Sequence, residues 1–234
     1  MPSPLAVGMA KRSQLSAKGL RTRERIVEAA GELFLTRGMA ATTLDDVKAS
    51  AGVSSSQLYH YFDNKGHLVQ AVAVLHTENI VAAQGPMLLG LQDLDGLRNW
   101  AMFVVDDFDS LGCCGGCPLG SLGGEIAEYD ELARQAVSAS LRRWEGVLRD
   151  GLTKLVDTGA LASNADPEAL ALGLIVALQG GLLLGKIHRS ARPLQVALKI
   201  AIDQVASFAA LPGIPAAGPV DRERGDAELP EAES

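Results

Sequence analysis

The amino-acid sequence predicts an all-α fold, on three observations. Apolar residues recur at spacings of three and four along most of the chain, and no run alternates with the period of two that a half-buried strand requires. Capping residues, glycines and prolines punctuate that pattern at helical intervals. With 234 residues, 47% of them apolar, the chain can bury a real core in one or two domains.

From Thr22 the residues Ile26, Ala29, Ala30, Leu33 and Phe34 form one helical stripe that stops at Gly38. Thr43 caps a short second helix carrying Leu44, Val47 and Ala51, and Gly52 breaks the chain before Ser54 caps a third. A fourth helix is predicted from Asn64 to about Ala83, with Leu68, Val72, Leu75 and Val81 inward and "QGPM" as its end. Asp93 to Phe108 makes another. "GCCGGCPLGS", Gly112 to Ser121, reads as a loop entering a short helix at Pro118.

Val137, Leu141, Trp144, Leu148, Leu152 and Leu155 predict a long helix ended at Gly159, and Asp166-Pro167-Glu168 supplies cap, first-turn proline and first-turn acid for the next. Between Ala169 and Gly185 only Gln179 carries a hydrogen-bonding side chain, which is near the length of a membrane span. Four glycines, mixed-sign flanks and a polar remainder favour instead a helix buried on all sides at a subunit interface. Leu194, Leu198, Ala201, Val205 and Phe208 stripe the last helix, so two helices per subunit (about 166–210) are expected to form a four-helix bundle in a homodimer.

Charge divides the chain. Residues 1–66 hold nine Lys/Arg against six Asp/Glu, and the rest holds twelve against twenty-two, within a net charge of -7. A basic head on an acidic body excludes a protein that coats nucleic acid along its whole length. The expected divisions are a flexible basic arm (1–20), a helical head (21–66), a larger helical domain (67–211) that includes the helices expected to dimerise, and an acidic, proline-containing disordered tail (212–234). Three crowded cysteines cannot form a secretory disulfide framework, and the N-terminus lacks a long apolar signal core, so a cytoplasmic location is expected.

"TTLDDVKASAGVSSSQLYHYFDNKGHL", Thr42 to Leu68, reads as helix, turn, helix. Leu44, Val47 and Val53 would set the two helices at an angle, and Leu58 and Phe62 would pin the second one inward. Ser55, Ser56, Gln57 and Tyr59 then face outward, where short hydroxyls and an amide suit base edges in a major groove. The competing reading makes Tyr59, Tyr61 and Phe62 ordinary core aromatics. "RERIVEAAGELFLTRG", "TTLDDVKASAGVS" and "LYHYFDNK" resemble the N-terminal domain of the TetR/AcrR family of transcriptional regulators. The resemblance implies a homodimeric repressor released from a palindromic operator by a small ligand. It implies phosphate contacts from Thr43, Tyr61 and Lys65, base contacts from Ser55, Ser56, Gln57 and Tyr59, and either role for His60. This chain departs from many relatives in having no basic residue within the recognition helix.

Cys114-x2-Cys117 has no second ligand pair, and the four histidines are scattered, so no metal or cofactor is expected. Two readings of the cysteines stay open: a turn in which Cys117 is a small buried residue, or a sensor. In the sensor reading the N-terminal dipole at Pro118 activates Cys117, and Cys113 or Cys114 resolves its oxidised form. Trp100, Phe103, Trp144 and Gln179 are the candidates for an apolar effector pocket. The alternative function is a cysteine-based enzyme or a small-molecule-binding protein with no DNA role. Against it, no nucleophile-base pair, phosphate loop or paired carboxylates stand out, and "EIAEYDE", Glu125 to Glu131, reads as a solvated connection between helices.

Overall fold

The computed structural model describes residues 15–128 and 130–209. The predicted acidic tail and the arm up to residue 14 lie outside the described residues. Among those described, the chain forms α1 (Ala17–Arg37), α2 (Leu44–Ala51), α3 (Ser55–Tyr61), α4 (Lys65–Leu89), α5 (Leu94–Ser110), α6 (Pro118–Ile126), α7 (Glu131–Asp157), α8 (Pro167–His188) and α9 (Arg192–Ala206), with no strand.

α1 begins five residues before the predicted Thr22. Ser16 caps it by accepting from the Gly19 N–H at 3.2 Å, so residues 17–20 are helix rather than arm. α4 differs more. It passes through Pro86 to Leu89, because the proline sits in the last turn and the burial of Leu88 and Leu91 draws that turn into the core. The Asp166 cap is as predicted, its carboxylate accepting from the N–H groups of Glu168 and Ala169 at 3.0 and 3.2 Å.

α1 to α3 make a small head around Ile26, Ala30, Phe34, Val47, Leu58 and Phe62. The first turns of α4 close it, and the rest of α4 runs into the larger domain, where its main partner is α7. That packing is close. A side-chain carbon on Gly151 of α7 would collide with the Leu88 carbonyl of α4 and come within 3.1 Å of Leu91 Cδ1. Between α1 and α4, burial pushes the His76 imidazole below its ordinary value.

α8 and α9 pack on each other, with α5 and α7 beneath them. α8 is long and apolar enough to cross a membrane by length and composition. Its inner face is nevertheless built for protein packing: Leu174 and Leu178 are buried, and a carbon on Gly181 would lie 2.7 Å from Leu194 Cα. Within a single chain only the inner face of α8 is covered, and the expected burial of its other side at a subunit interface concerns a second chain. Leu172, Val176, Leu183 and Ile187, at spacings of four, seven and four, stand on an exposed outer face, and Val196 and Ile200 continue it on α9.

Candidate nucleic-acid interface

The two short helices of the head owe their definition to reciprocal caps. Thr43 Oγ1 accepts from the Asp46 N–H at 3.1 Å, and Asp46 Oδ2 accepts from the Thr43 N–H at 2.8 Å. The Thr43 hydroxyl also donates to Asp46 Oδ2 at 2.5 Å, and this bond, the one from the Thr43 N–H and Arg37 nearby hold the Asp46 carboxyl below its ordinary value. Ser54 and Gln57 repeat the device: Ser54 Oγ accepts from the Gln57 N–H at 3.2 Å, and Gln57 Oε1 accepts from the Ser54 N–H at 2.9 Å. Gly52, at φ 61°, makes the left-handed turn between the helices.

Leu58 and Phe62 are buried, which turns Ser55, Ser56, Gln57, Tyr59 and His60 to solvent, with Tyr59 55% exposed. The core-aromatic reading therefore holds for Phe62 and fails for Tyr59. Tyr61 is partly buried, and its hydroxyl lies over Gly19, 3.4 Å from where a side chain there would begin. Gln57 is committed through its carbonyl oxygen to the cap. One residue escaped the sequence reading. Lys48, in the last turn of α2, reaches Ser55 Oγ at 3.3 Å and Asp45 at 2.5 Å, so a cation stands at the start of α3 although α3 itself has none.

Lys65 is partly buried, and its ammonium donates to the Met39 carbonyl at 2.5 Å. Burial lowers its pKa, and the nearby Glu125 works against that. Arg25 is tied to the Ala51 carbonyl at 2.9 Å, and the Arg23 guanidinium stacks 5.2 Å from the Phe62 ring centre.

In the larger domain, Trp100 and Trp144 come together on one acceptor. Both indole N–H groups donate to Gln84 Oε1, at 3.1 and 3.2 Å, and both rings are buried. Phe103 does not join them: it lies on the outer face of α5, 40% exposed. Gln179 is instead brought to Cys117, donating to its sulfur at 3.2 Å.

Of the two readings of the cysteine loop, the surroundings of Cys117 are those of a small buried residue. It does sit at the N-cap of α6, but burial pushes its thiol up, outweighing the bonds from Gln179 and the first-turn N–H groups. Burial and the neighbouring Asp109 push Cys113 up as well. The exposed thiol is Cys114, whose sulfur lies 2.7 Å from Arg189 Nη1. Among the described residues no cluster of three His, Cys, Asp or Glu could hold a metal.

The connection from Glu125 to Glu131 is also less solvated than expected. Glu125 accepts from the Ala40 N–H of the head at 2.9 Å, and Asp130 caps α7. Arg134 and Gln135 hold the Glu131 carboxyl at about 2.

Two family models match this chain: bacterial regulatory proteins of the tetR family over residues 26–72, and the tetracyclin repressor-like C-terminal domain over residues 94–201. The chain belongs to the TetR family. Similar relatives include the HTH-type transcriptional regulator YxaF of Bacillus subtilis, 28% identical over 74% of this chain and 89% of that one. The HTH-type transcriptional repressor DhaR of a Mycobacterium species is 24% identical over 77% and 90%. Among solved structures, the reduced form of Escherichia coli NemR superposes with a TM-score of 0.69 at 25% identity, covering 82% of this chain and all of that one. A cysteine mutant of the TetR-family regulator CifR on a 26-base-pair operator duplex shares the fold at 19% identity and a TM-score of 0.65, over 77% and 94%. TetR-family proteins are transcriptional regulators and not enzymes, so the alternative of a cysteine-based enzyme is dropped.

Proposed function

We propose that this TetR-family chain is a homodimeric, cytoplasmic repressor that reads a palindromic operator with α3 and leaves it when an effector binds the larger domain. The observation that carries this reading is the outward row of Ser55, Ser56, Tyr59 and His60 on a helix that Leu58 and Phe62 hold rigidly and Ser54 caps. A recognition helix presented by its N-terminal half suits the major groove. Lys48, Thr43 and Tyr61 flank it as phosphate contacts, and Lys65 keeps two N–H donors for a phosphate beyond the one given to Met39. The exposed apolar faces of α8 and α9 are the support for the dimer.

The test is selection of duplexes from a random pool, followed by anisotropy on the selected palindrome and on a scrambled duplex. Tyr59→Ala is expected to lose about 1–3 kcal/mol of discrimination while scrambled binding stays the same. Lys48→Ala should weaken both alike and reduce the salt slope by about one. Equal losses for Tyr59→Ala on both duplexes would remove Tyr59 from base reading.

The exposure of Cys114 favours one version of the effector, a thiol-reactive electrophile. With iodoacetamide the Cys114 sulfur displaces iodide from the methylene carbon, the S–C bond forming as the C–I bond breaks and the thiol proton going to solvent, at a sulfur that lies 2.7 Å from Arg189 Nη1. Limited iodoacetamide treatment with peptide mass spectrometry is expected to label Cys114 ahead of the buried Cys113 and Cys117 and to release the duplex, and Cys114→Ser should resist release. If labelled protein keeps its affinity for DNA, the effector is a non-reactive small molecule.

A further inference from the structure

One peptide unit joins the head to the larger domain and is held from both ends. The carbonyl of Met39 accepts from the Lys65 ammonium at 2.5 Å, and the N–H of Ala40, the other end of the same peptide, donates to Glu125 Oε2 at 2.9 Å. Both bonds involve an ion, and a cation on the oxygen with an anion on the nitrogen polarises the peptide in one sense, so each bond strengthens the other. The peptide lies in the turn from α1 to α2, and Gly38, which starts that turn at φ 83°, brings the backbone close to the Glu125 carboxylate: a side-chain carbon there would lie 3.4 Å from it. A second acid presses on the same joint. A carbon on Gly66, in the first turn of α4, would lie 2.9 Å from Asp130 Oδ2 at the start of α7.

We infer that Glu125 is a positioning residue for operator binding. By holding the Met39–Ala40 peptide, it fixes each head on its own larger domain and so sets the separation of the two recognition helices in the dimer. The inference rests on the operator reading above. Glu125 touches no DNA in this arrangement and acts through the turn. A palindrome requires two heads at a fixed distance, and a head free to swing must be ordered during binding, at a cost that the latch removes beforehand. A single half-site makes no such demand.

The experiment compares wild type, E125A and E125Q on the palindrome selected with wild-type protein and on a duplex carrying one half of it, with helical content checked by circular dichroism. E125A is expected to lose about tenfold on the palindrome and to match wild type on the half-site. E125Q, whose amide oxygen still accepts from Ala40, should fall between the two. Equal losses on both duplexes would mean that the head itself is damaged, and no loss on either would mean that the latch is idle; both overturn the role of Glu125. Failure of the wild type to select any duplex would overturn the operator reading, and this role with it, before a variant is made.

Discussion

Replacing Val176 and Ile187 together with glutamate is expected to hold the protein as a monomer and to lower its affinity for a palindromic duplex by at least about a hundredfold. Both side chains are nearly two-thirds exposed in a single chain, on the outer face that also carries Leu172 and Leu183. Their removal leaves the inner face of α8 intact, since Leu170, Leu174, Leu178 and Leu182 are the residues that pack beneath it. Four like charges facing one another across a two-fold axis would have to be desolvated together for the dimer to form. The hundredfold follows from losing the second head: linking two half-site contacts makes the second one intramolecular. Sedimentation velocity gives the mass and anisotropy the affinity. A double variant that still sediments as a dimer would place the interface elsewhere.

Trp100→Ala should be the most destabilising single change, at about 3–5 kcal/mol, because it removes a fully buried indole from the centre of the larger domain. It also takes away one of the two donors to Gln84, whose carbonyl oxygen still keeps Trp144. Gln84→Leu tests the polar part separately: it leaves two buried indole N–H groups without an acceptor, each costing about 1–3 kcal/mol. Urea unfolding of wild type and both variants reads these losses. A Trp100→Ala loss under about 1 kcal/mol would show that the ring lines an open space that relaxes or fills, as an effector pocket would, rather than a packed core.

The head was legible because its signals are local. Thr43 and Asp46, Ser54 and Gln57, and the turns at Gly38 and Gly52 lie within a few residues of what they organise, and so do Asp166 and Pro167 at α8. Where the sequence misled, the deciding contact was distant. Pro86 is a strong local stop, yet the burial of Leu88 and Leu91 against α7 carries α4 past it. Glu125 reads as solvated until a fold brings Ala40, eighty-five residues away, to its carboxylate. In the cysteine loop the sequence left a buried turn residue and a dipole-activated sensor both open for Cys117, and what bears on that choice is a tertiary property, the burial that pushes its thiol up. Phe103 and Trp100 lie three residues apart on one helix and only the packing of α5 distinguishes them, with Trp100 inside and Phe103 outside. The proposed base contacts and dimer rest on exposed side chains, which the sequence could offer as surfaces without naming what covers them.

Both tryptophans of the chain end on Gln84, a residue of the helix that joins the two domains. Indole emission depends on the hydrogen bond and polarity at the ring nitrogen, and here two fluorophores report on one acceptor. A shift of α4 against α5 and α7 would therefore change the emission of the whole protein, with no dye attached. The unlabelled regulator carries an optical gauge of its own domain joint, one that can be followed in a stopped-flow cell as DNA is mixed in.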